Sequence, residues 1–313
     1  MAVRIIAPLV TAAAVTLFSF NAQAWHAAGH MMTAAVAWEQ MTPAARKRAS
    51  ELLQLNPDYD TWVKGVAAAA KDKTAFVRAA TWPDDIKNTS THPGSINDGE
   101  EPTNPNAAAN VGYSDKLMHK YWHYVDLPFS PDGTATVDPK NPNAETQIRT
   151  FRDTIAATGA SDNVKSYDTA WLIHIVGDVH QPLHATSRFT KLHTDGDEGG
   201  NLVKIKCSPN CGNNLHSFWD GLFDTQKTPK ASIAAVAKLK KATGAAAGEN
   251  DPHVWITESF EIAKKTVYGK PIGTTSKTVT ITPAYKKAAA AIGRQRVALG
   301  GARLAKLFND AFK

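Results

Sequence analysis

Apolar positions along the chain recur mostly at helical spacing, in blocks separated by long polar stretches. Residues 26–41 are Ala-rich with no clean polar side, and Thr42-Pro43 then supplies an N-cap followed by Pro at the first helical position. The helix it opens runs to about residue 55. Asn143 caps a second strong helix over 143–157, which Gly159 stops. Residues 162–179 are the most apolar block. Trp171, Leu172, Ile173, Ile175 and Val176 occupy so much of its circumference that the pattern predicts burial on most sides. Helices over 232–242, 252–268 and 284–312 complete the pattern. Three polar loops, 88–114, 129–142 and 189–214, interrupt it, and loops of that length inside a compact domain are more often functional than idle. Within the last loop, residues 201–207 alternate well enough for one hairpin strand, and 278–281 is a second strand candidate. No internal repeat and no hinge-like linker separates two cores. The expectation is an all-α fold: a single, mostly helical domain with a small β-hairpin excursion.

The N-terminus changes the picture of where that domain works. Arg4, an apolar run over 5–20 and the small-x-small triplet Ala22-Gln23-Ala24 make residues 1–24 a secretory signal in pattern. Cleavage after Ala24 leaves a domain of 25–313 with Trp25 first, whose free amine and adjacent carbonyl form a ready five-membered chelate. No later stretch approaches the ~18–20 apolar residues of a membrane span, so the product is expected to be exported, periplasmic or extracellular, without stable membrane association. Composition adds exclusions only. With 43% hydrophobic and 20% charged residues among 313, wholesale disorder is excluded. Thirty-five Lys and Arg against 29 Asp and Glu give +6, which tolerates an anionic partner without demonstrating one. Two cysteines rule out a zinc-finger array. In an oxidising compartment Cys207 and Cys211 can close a small local disulfide, with two free thiols as the alternative.

The chemistry is concentrated in residues 171–184. His174 and Asp178 are four apart and share one face of an otherwise apolar helix, where uncompensated polar groups are costly. Imidazole and carboxylate are both zinc ligands, so a metal offsets that cost. Pro182 ends the helix and can turn His184 back toward the pair. The same spacing recurs at His216 and Asp220. One such pair alone is more simply a helix-surface His–Asp hydrogen bond; two pairs with His184 favour a metal centre. Three further segments carry similar residues: Trp25 with His30, Asp84 and Lys87 after Pro83, and His123, Tyr124 and Asp126. Spacing alone does not separate His119 from His123, which also lie four apart. His92, His193 and His253 fall outside these motifs and are expected at the surface, while His180 is expected to do no more than support a ligand.

Together these ordered motifs, from Trp25 to Asp220, resemble the zinc-dependent single-strand nucleases of the S-one/P-one type, which share a superfamily with bacterial zinc phospholipases C. The resemblance implies a mostly helical domain holding three zinc ions at the bottom of a cleft. It assigns Asp84, His123, His174 and Asp178 to the first zinc, and His184, His216 and Asp220 to the second. The third falls to the Trp25 amine and carbonyl with His30, sharing Asp178. By the same resemblance Lys87 is a catalytic lysine acting beside Asp84, Tyr124 is an aromatic platform for a base, and Asp126 and Asn201 contact a base edge or position the phosphate. The implied activity is endonucleolytic hydrolysis of single-stranded DNA and RNA to 5′-phosphorylated products, with 3′-nucleotides as further substrates and no obligate protein partner. Clustered metals suit this reaction because they can supply a nucleophile near neutral pH, neutralise charge on phosphorus and stabilise the leaving oxygen. Two alternatives are a zinc-dependent phospholipase C and a secreted metal-binding protein without catalysis. His30 lying five residues after Trp25, and Asp at position 220 where the phospholipases use Glu, favour the nuclease; Lys87, Asp126 and Asn201 argue against mere sequestration.

Overall fold

In the computed structural model, which describes residues 25–208 and 211–313, a helix buried on every side from Ser166 to Asp178 occupies the middle of the chain's packing. The secretory-signal segment, 1–24, lies outside the described residues. Twelve α-helices are present among the described residues: α1 (Ala27–Gln40), α2 (Pro43–Leu53), α3 (Tyr59–Val63), α4 (Lys71–Ala79), α5 (Trp82–Asp85), α6 (Ala144–Ala156), the buried α7 (Asp162–Asp178), α8 (Leu215–Asp220), α9 (Pro229–Val236), α10 (Ala245–Gly248), α11 (Pro252–Ile262) and α12 (Pro283–Ala311). Helices α1, α2, α4, α5, α6 and α12 all pack against α7. That surround explains the lack of any polar side in its sequence: every face of α7 meets protein.

Several helix starts follow their sequence signals. Thr42 accepts a hydrogen bond from Ala45 N, Ser161 from Val164 N, and Asn143 forms a capping box with Thr146. The helix expected over 252–268 is α11 followed by a π-helical turn, Ala263–Val267. The one expected over 232–242 begins earlier, at Pro229, capped by Thr228, and ends at Val236. Helices α3 and α4 carry no strong periodic signal; α4 buries only Ala75, Phe76, Val77 and Ala79, and tertiary contact rather than propensity holds it.

The β structure is smaller than a hairpin and differently wired. β3 (Ile205–Lys206) pairs in parallel with β4 (Val279–Thr280), so the two strand candidates find each other, while the return after β3 is a single antiparallel bridge between Lys204 and Asn214. Cys207 and Cys211 form a disulfide in that return. A second parallel pair, β1 (Pro128–Phe129) with β2 (Ser187–Arg188), is not signalled by alternation. It matters for the site, because Val125 N–H donates to His184 O at 2.9 Å and Ser187 N–H to Leu127 O at 3.1 Å, zipping two ligand-bearing segments together.

One buried carboxylate fastens the 88–114 loop to α7. Asp168 is fully buried and accepts from Asn110 Nδ2 at 2.8 Å. Burial raises its carboxyl to about 8, and the bonds from Asn110 and Thr154 offset only part of that. Because this folded-state value lies above the ordinary ~3.9, the fold favours protonated Asp168. Its stabilising contribution is complete below pH ~4 and is lost as pH rises through about 8. Asp168→Asn, which cannot ionise, is therefore expected to melt like the wild type near pH 4 and about 2–5 °C higher above pH 8. Calorimetry at both pH values checks this; an equal difference at the two would contradict it.

Candidate metal centre and nucleic-acid site

Each ligand-type side chain reaches the centre from a different element. His30 comes from α1, Asp84 from the short α5, and His123 from the end of a 3₁₀ turn, Lys120–His123. His174 and Asp178 come from α7, His184 from a second 3₁₀ turn, Pro182–Ala185, and His216 and Asp220 from α8. All eight are buried. Gly177 makes one of these approaches possible: a Cβ there would stand 2.9 Å from His30 Nδ1, so only glycine lets α1 lay His30 across α7.

These atoms gather into three groups that could hold metal ions: His30 with His174 and Asp178, Asp84 with His123 and His174, and His184 with His216 and Asp220. Asp178 is the hub. Its carboxylate lies 3.2 Å from His30 Nε2, 3.0 Å from His123 Nδ1 and 3.2 Å from His174 Nε2. His174 Nε2 is also 2.9 Å from His123 Nδ1, and 3.8 Å from Asp84 Oδ1. The His30 and His174 rings stack at 3.8 Å. In the third group, His184 Nε2 and His216 Nε2 face each other at 3.0 Å, with Asp220 Oδ2 3.4 Å from His216 Nε2.

Tautomers decide what such convergence means. His174 Nδ1 faces Ala80 O at 2.6 Å, His184 Nδ1 faces His123 O at 2.9 Å, and His216 Nδ1 faces Gly199 O at 2.8 Å. A carbonyl only accepts, so each Nδ1 must carry the proton, and in a neutral ring Nε2 then turns its lone pair inward. Burial favours that neutral form for His184, whereas for His174 burial is outweighed by the Asp178 and Asp84 carboxylates, which favour the imidazolium. Two lone pairs pointed at one another in a buried pocket repel unless a cation lies between them. Carbonyl-oriented imidazoles beside a carboxylate are the donor set that zinc takes, and ligand atoms of a tetrahedral zinc stand about 3.3 Å apart for bonds of ~2.0–2.1 Å. The residues present fit the metal.

The electrostatics agree. Burial pushes the Asp178 carboxyl up, but the His174 and His30 imidazoles override it and hold it well below the usual carboxylate range. Asp84 is likewise raised by burial and then pulled below its usual range by Lys87, His174 and His123. Lys87 Nζ donates to Asp84 Oδ1 at 2.8 Å, with both side chains nearly inaccessible. His123 is pushed down to about 3 by burial and the Lys87 charge. Asp220 goes the other way: burial raises it well above its usual value, relieved in part by Gln181 Nε2, which donates to its Oδ1 at 2.7 Å. Ionising Asp220 in this pocket calls for an added positive charge.

Trp25 is fully buried, with its ring tilted against Phe223 at 5.4 Å. The following residue straps it to the centre: His26 N–H donates to Asp220 O at 3.0 Å and His26 Nδ1 pairs with Asp224 at 2.9 Å. His119 is elsewhere. It lies flat on Trp122 at 3.5 Å between Asp115 and Asp98, so geometry separates it from His123. His92 is half-buried against Asp58, more enclosed than its loop suggests, and His180 sits in a buried network with Arg303.

Residues 25–313 match the family model for S1/P1 nucleases. The chain belongs to the S1/P1 nuclease family. Among curated relatives in Arabidopsis thaliana, Endonuclease 5 is 28% identical over 184 residues, covering 50% of this chain and 56% of the relative. Endonuclease 4 is 28% identical over 178 residues with the same coverages, and Endonuclease 1 is 23% identical over 326 residues, covering 93% of this chain and 88% of that protein. The matches to Endonucleases 5 and 4 thus span little more than half of those relatives. No helix among the described residues of this S1/P1 family member is long and apolar enough to cross a membrane.

Beside the centre is a cavity of about 260 Å³ whose lining includes Glu100, Glu101, Tyr124, Asp126 and Phe189. Tyr124 is half-buried and its hydroxyl donates to Glu100 O at 2.6 Å, which fixes the ring. Asp126 is raised to about 7, first by burial and then by the Asp197, Glu101 and Glu198 carboxylates. Asn201 does not line this cavity; it lies in the adjoining turn, where its Nδ2 donates to Glu198 O at 2.9 Å. Gln181 and Asp197 are the site residues that sequence reading missed. Neither has a local signal, since each acts on a partner brought close only by the fold.

Proposed function

We propose that this S1/P1 family member is an exported, zinc-dependent endonuclease. It hydrolyses phosphodiester bonds of single-stranded DNA and RNA to 5′-phosphorylated products and also acts on 3′-nucleotides. The observation that carries this reading is the pair of inward-facing Nε2 atoms of His184 and His216, 3.0 Å apart, with both Nδ1 atoms committed to backbone carbonyls. His30, Asp84, His123, His174 and Asp178 would hold two ions, joined at one of them by the Trp25 amine and carbonyl once the signal is removed; His184, His216 and Asp220 would hold a third. Bound zinc supplies charge neutralisation at phosphate oxygens and activates water near neutral pH.

The chain's own residues do the rest. Asp178 orients three imidazoles at once. Lys87, held against Asp84, brings a fixed ammonium to where negative charge develops on phosphorus. Tyr124 offers one face to an unstacked base, Asp126 a carboxyl to its edge, and Asn201 a carboxamide toward the phosphate. A duplex keeps its bases stacked and its backbone outside a buried pit, so single strands are favoured. The Cys207–Cys211 disulfide is in keeping with an oxidising compartment.

The test is hydrolysis of single-stranded DNA, duplex DNA, RNA, a 3′-mononucleotide and phosphatidylcholine by the chain beginning at Trp25. Single strands and the 3′-nucleotide are expected to be cleaved, and chelation is expected to stop it; turnover of the lipid alone would overturn the reading. Stacking is worth about 1–3 kcal/mol per base, so Tyr124→Ala is expected to raise KM for short oligonucleotides by about 5- to 100-fold with metal content unchanged. An unaltered KM would remove Tyr124 from the binding role.

A further inference from the structure

The loop that carries Asn201 also sets the chemistry of His216, and one buried carboxylate holds it. Asp197 is fully buried, yet it is neither a ligand candidate nor a surface group. Its Oδ1 accepts three hydrogen bonds: from Arg188 N–H at 3.0 Å, from Tyr268 Oη at 3.0 Å and from Gly200 N–H at 3.2 Å. Its Oδ2 lies 3.2 Å from Arg188 Nε. Arg188 is itself buried on β2, anchored by Nη1 to Gly273 O at 2.6 Å and lying over the Tyr268 ring at 4.3 Å. The backbone of Asp197 adds two bonds, its carbonyl accepting from Gly200 N–H at 3.0 Å and Leu202 N–H at 3.2 Å.

What this anchor holds is a strained turn. Glu198, Gly199 and Gly200 have φ of 52°, 58° and 86°, three successive left-handed residues, and the first is not glycine. Such a turn persists only where its surroundings over-determine it. Its product is the Gly199 carbonyl, aimed at His216 Nδ1. The space is tight: a Cβ at Gly199 would stand 2.5 Å from Leu183 O and 3.2 Å from His216 Nδ1. The turn is therefore wedged between the segment carrying His184 and the helix carrying His216. Asn201 follows immediately, tied back to Glu198 O.

We propose that Asp197, braced by Arg188 and Tyr268, is a positioning residue: it fixes the 198–201 turn so that Gly199 O selects the His216 tautomer with Nε2 facing His184, and in the same stroke sets Asn201. This rests on the metal-nuclease reading for its catalytic consequence, but the tautomer does not. Asp197 touches neither metal site nor substrate; it acts through Gly199 and His216. Without it the turn is free to relax, His216 loses the acceptor for Nδ1–H, and the proton can sit on Nε2, where it blocks the ligand position.

The test uses the full chain from Trp25 with two variants, Asp197→Asn and the milder Tyr268→Phe, which removes one of the three bonds to Oδ1 and keeps the fold if the first variant does not. In metal-free protein, ¹⁵N–¹H correlation of the histidine rings is expected to find His216 protonated on Nδ1 in the wild type. It is expected to be mixed in the variants, more so in Asp197→Asn. In zinc-loaded protein, the variants are expected to bind the ion at His184, His216 and Asp220 about 10- to 100-fold more weakly, with the other ions retained. A His216 tautomer unchanged in both variants overturns the proposal whatever the metal content. A tautomer shift in the variants, beside a wild-type protein that retains no zinc, upholds the positioning role and defeats the metal reading instead.

Discussion

Asp178→Asn is expected to abolish turnover, lowering kcat on single-stranded DNA by about 10³-fold or more, and to release the ions of the two groups it joins. The reason is geometric. One carboxylate faces His30, His123 and His174 at 3.0–3.2 Å, in a pocket with no solvent to substitute for it. Asn keeps the shape and one acceptor oxygen but removes the charge that two cations would share. Losing one partner of a buried charged assembly costs about 3–5 kcal/mol, and each ~1.4 kcal/mol on a barrier is a factor of ten. Steady-state kinetics with elemental analysis checks both halves. A variant retaining a tenth of wild-type kcat, or full metal content, would contradict the bridging role.

Lys87→Met gives the second largest effect and a different signature. The Lys87 ammonium is enclosed, bonded to Asp84 Oδ1 and positioned one turn beyond it. Met preserves most of the side-chain volume while removing the charge. If that charge stabilises the transition state, kcat falls by about 10²–10³-fold, the cost of removing one preorganised donor, while KM and zinc stoichiometry stay near wild type. If Lys87 instead serves only to keep Asp84 ionised, metal content falls together with kcat. The split between those two outcomes is the measurement, made by running kinetics and metal analysis on the same preparation.

Much of the fold could be read from local signals because the decisive contacts are local. Thr42, Asn143 and Ser161 cap helices whose first turns follow them directly, and α7 declares its burial through the absence of a polar side. The i, i+4 pairs His174/Asp178 and His216/Asp220 likewise need only helical geometry to share a face. Thr228-Pro229 repeats the Thr42-Pro43 signal, so the start of α9 at Pro229, ahead of the expected 232, also has a local cause. What stayed hidden depends on distant partners. The pairing of β3 with β4 joins two strand candidates 74 positions apart, and β1 with β2 joins residues 59 apart in two-residue strands too short to alternate. Gln181 finds Asp220 39 residues away, and Asp197 finds Tyr268 71 away. The carbonyls of Ala80, His123 and Gly199 fix three tautomers, and a carbonyl leaves no trace in side-chain identity. Asn201 could be assigned to a loop but not to a place beside the cavity rather than in its lining, because the turn that carries it takes its shape from the buried Asp197–Arg188 pair rather than from its own sequence.

Crystals of the chain beginning at Trp25, measured on either side of the zinc absorption edge, test the centre most directly. Three anomalous peaks are expected. One should lie among His184, His216 and Asp220, one among Asp84, His123, His174 and Asp178, and one between His30, Asp178 and the backbone of Trp25. An absence of peaks from zinc-supplied crystals, or peaks away from these side chains, would contradict a metal centre built from them.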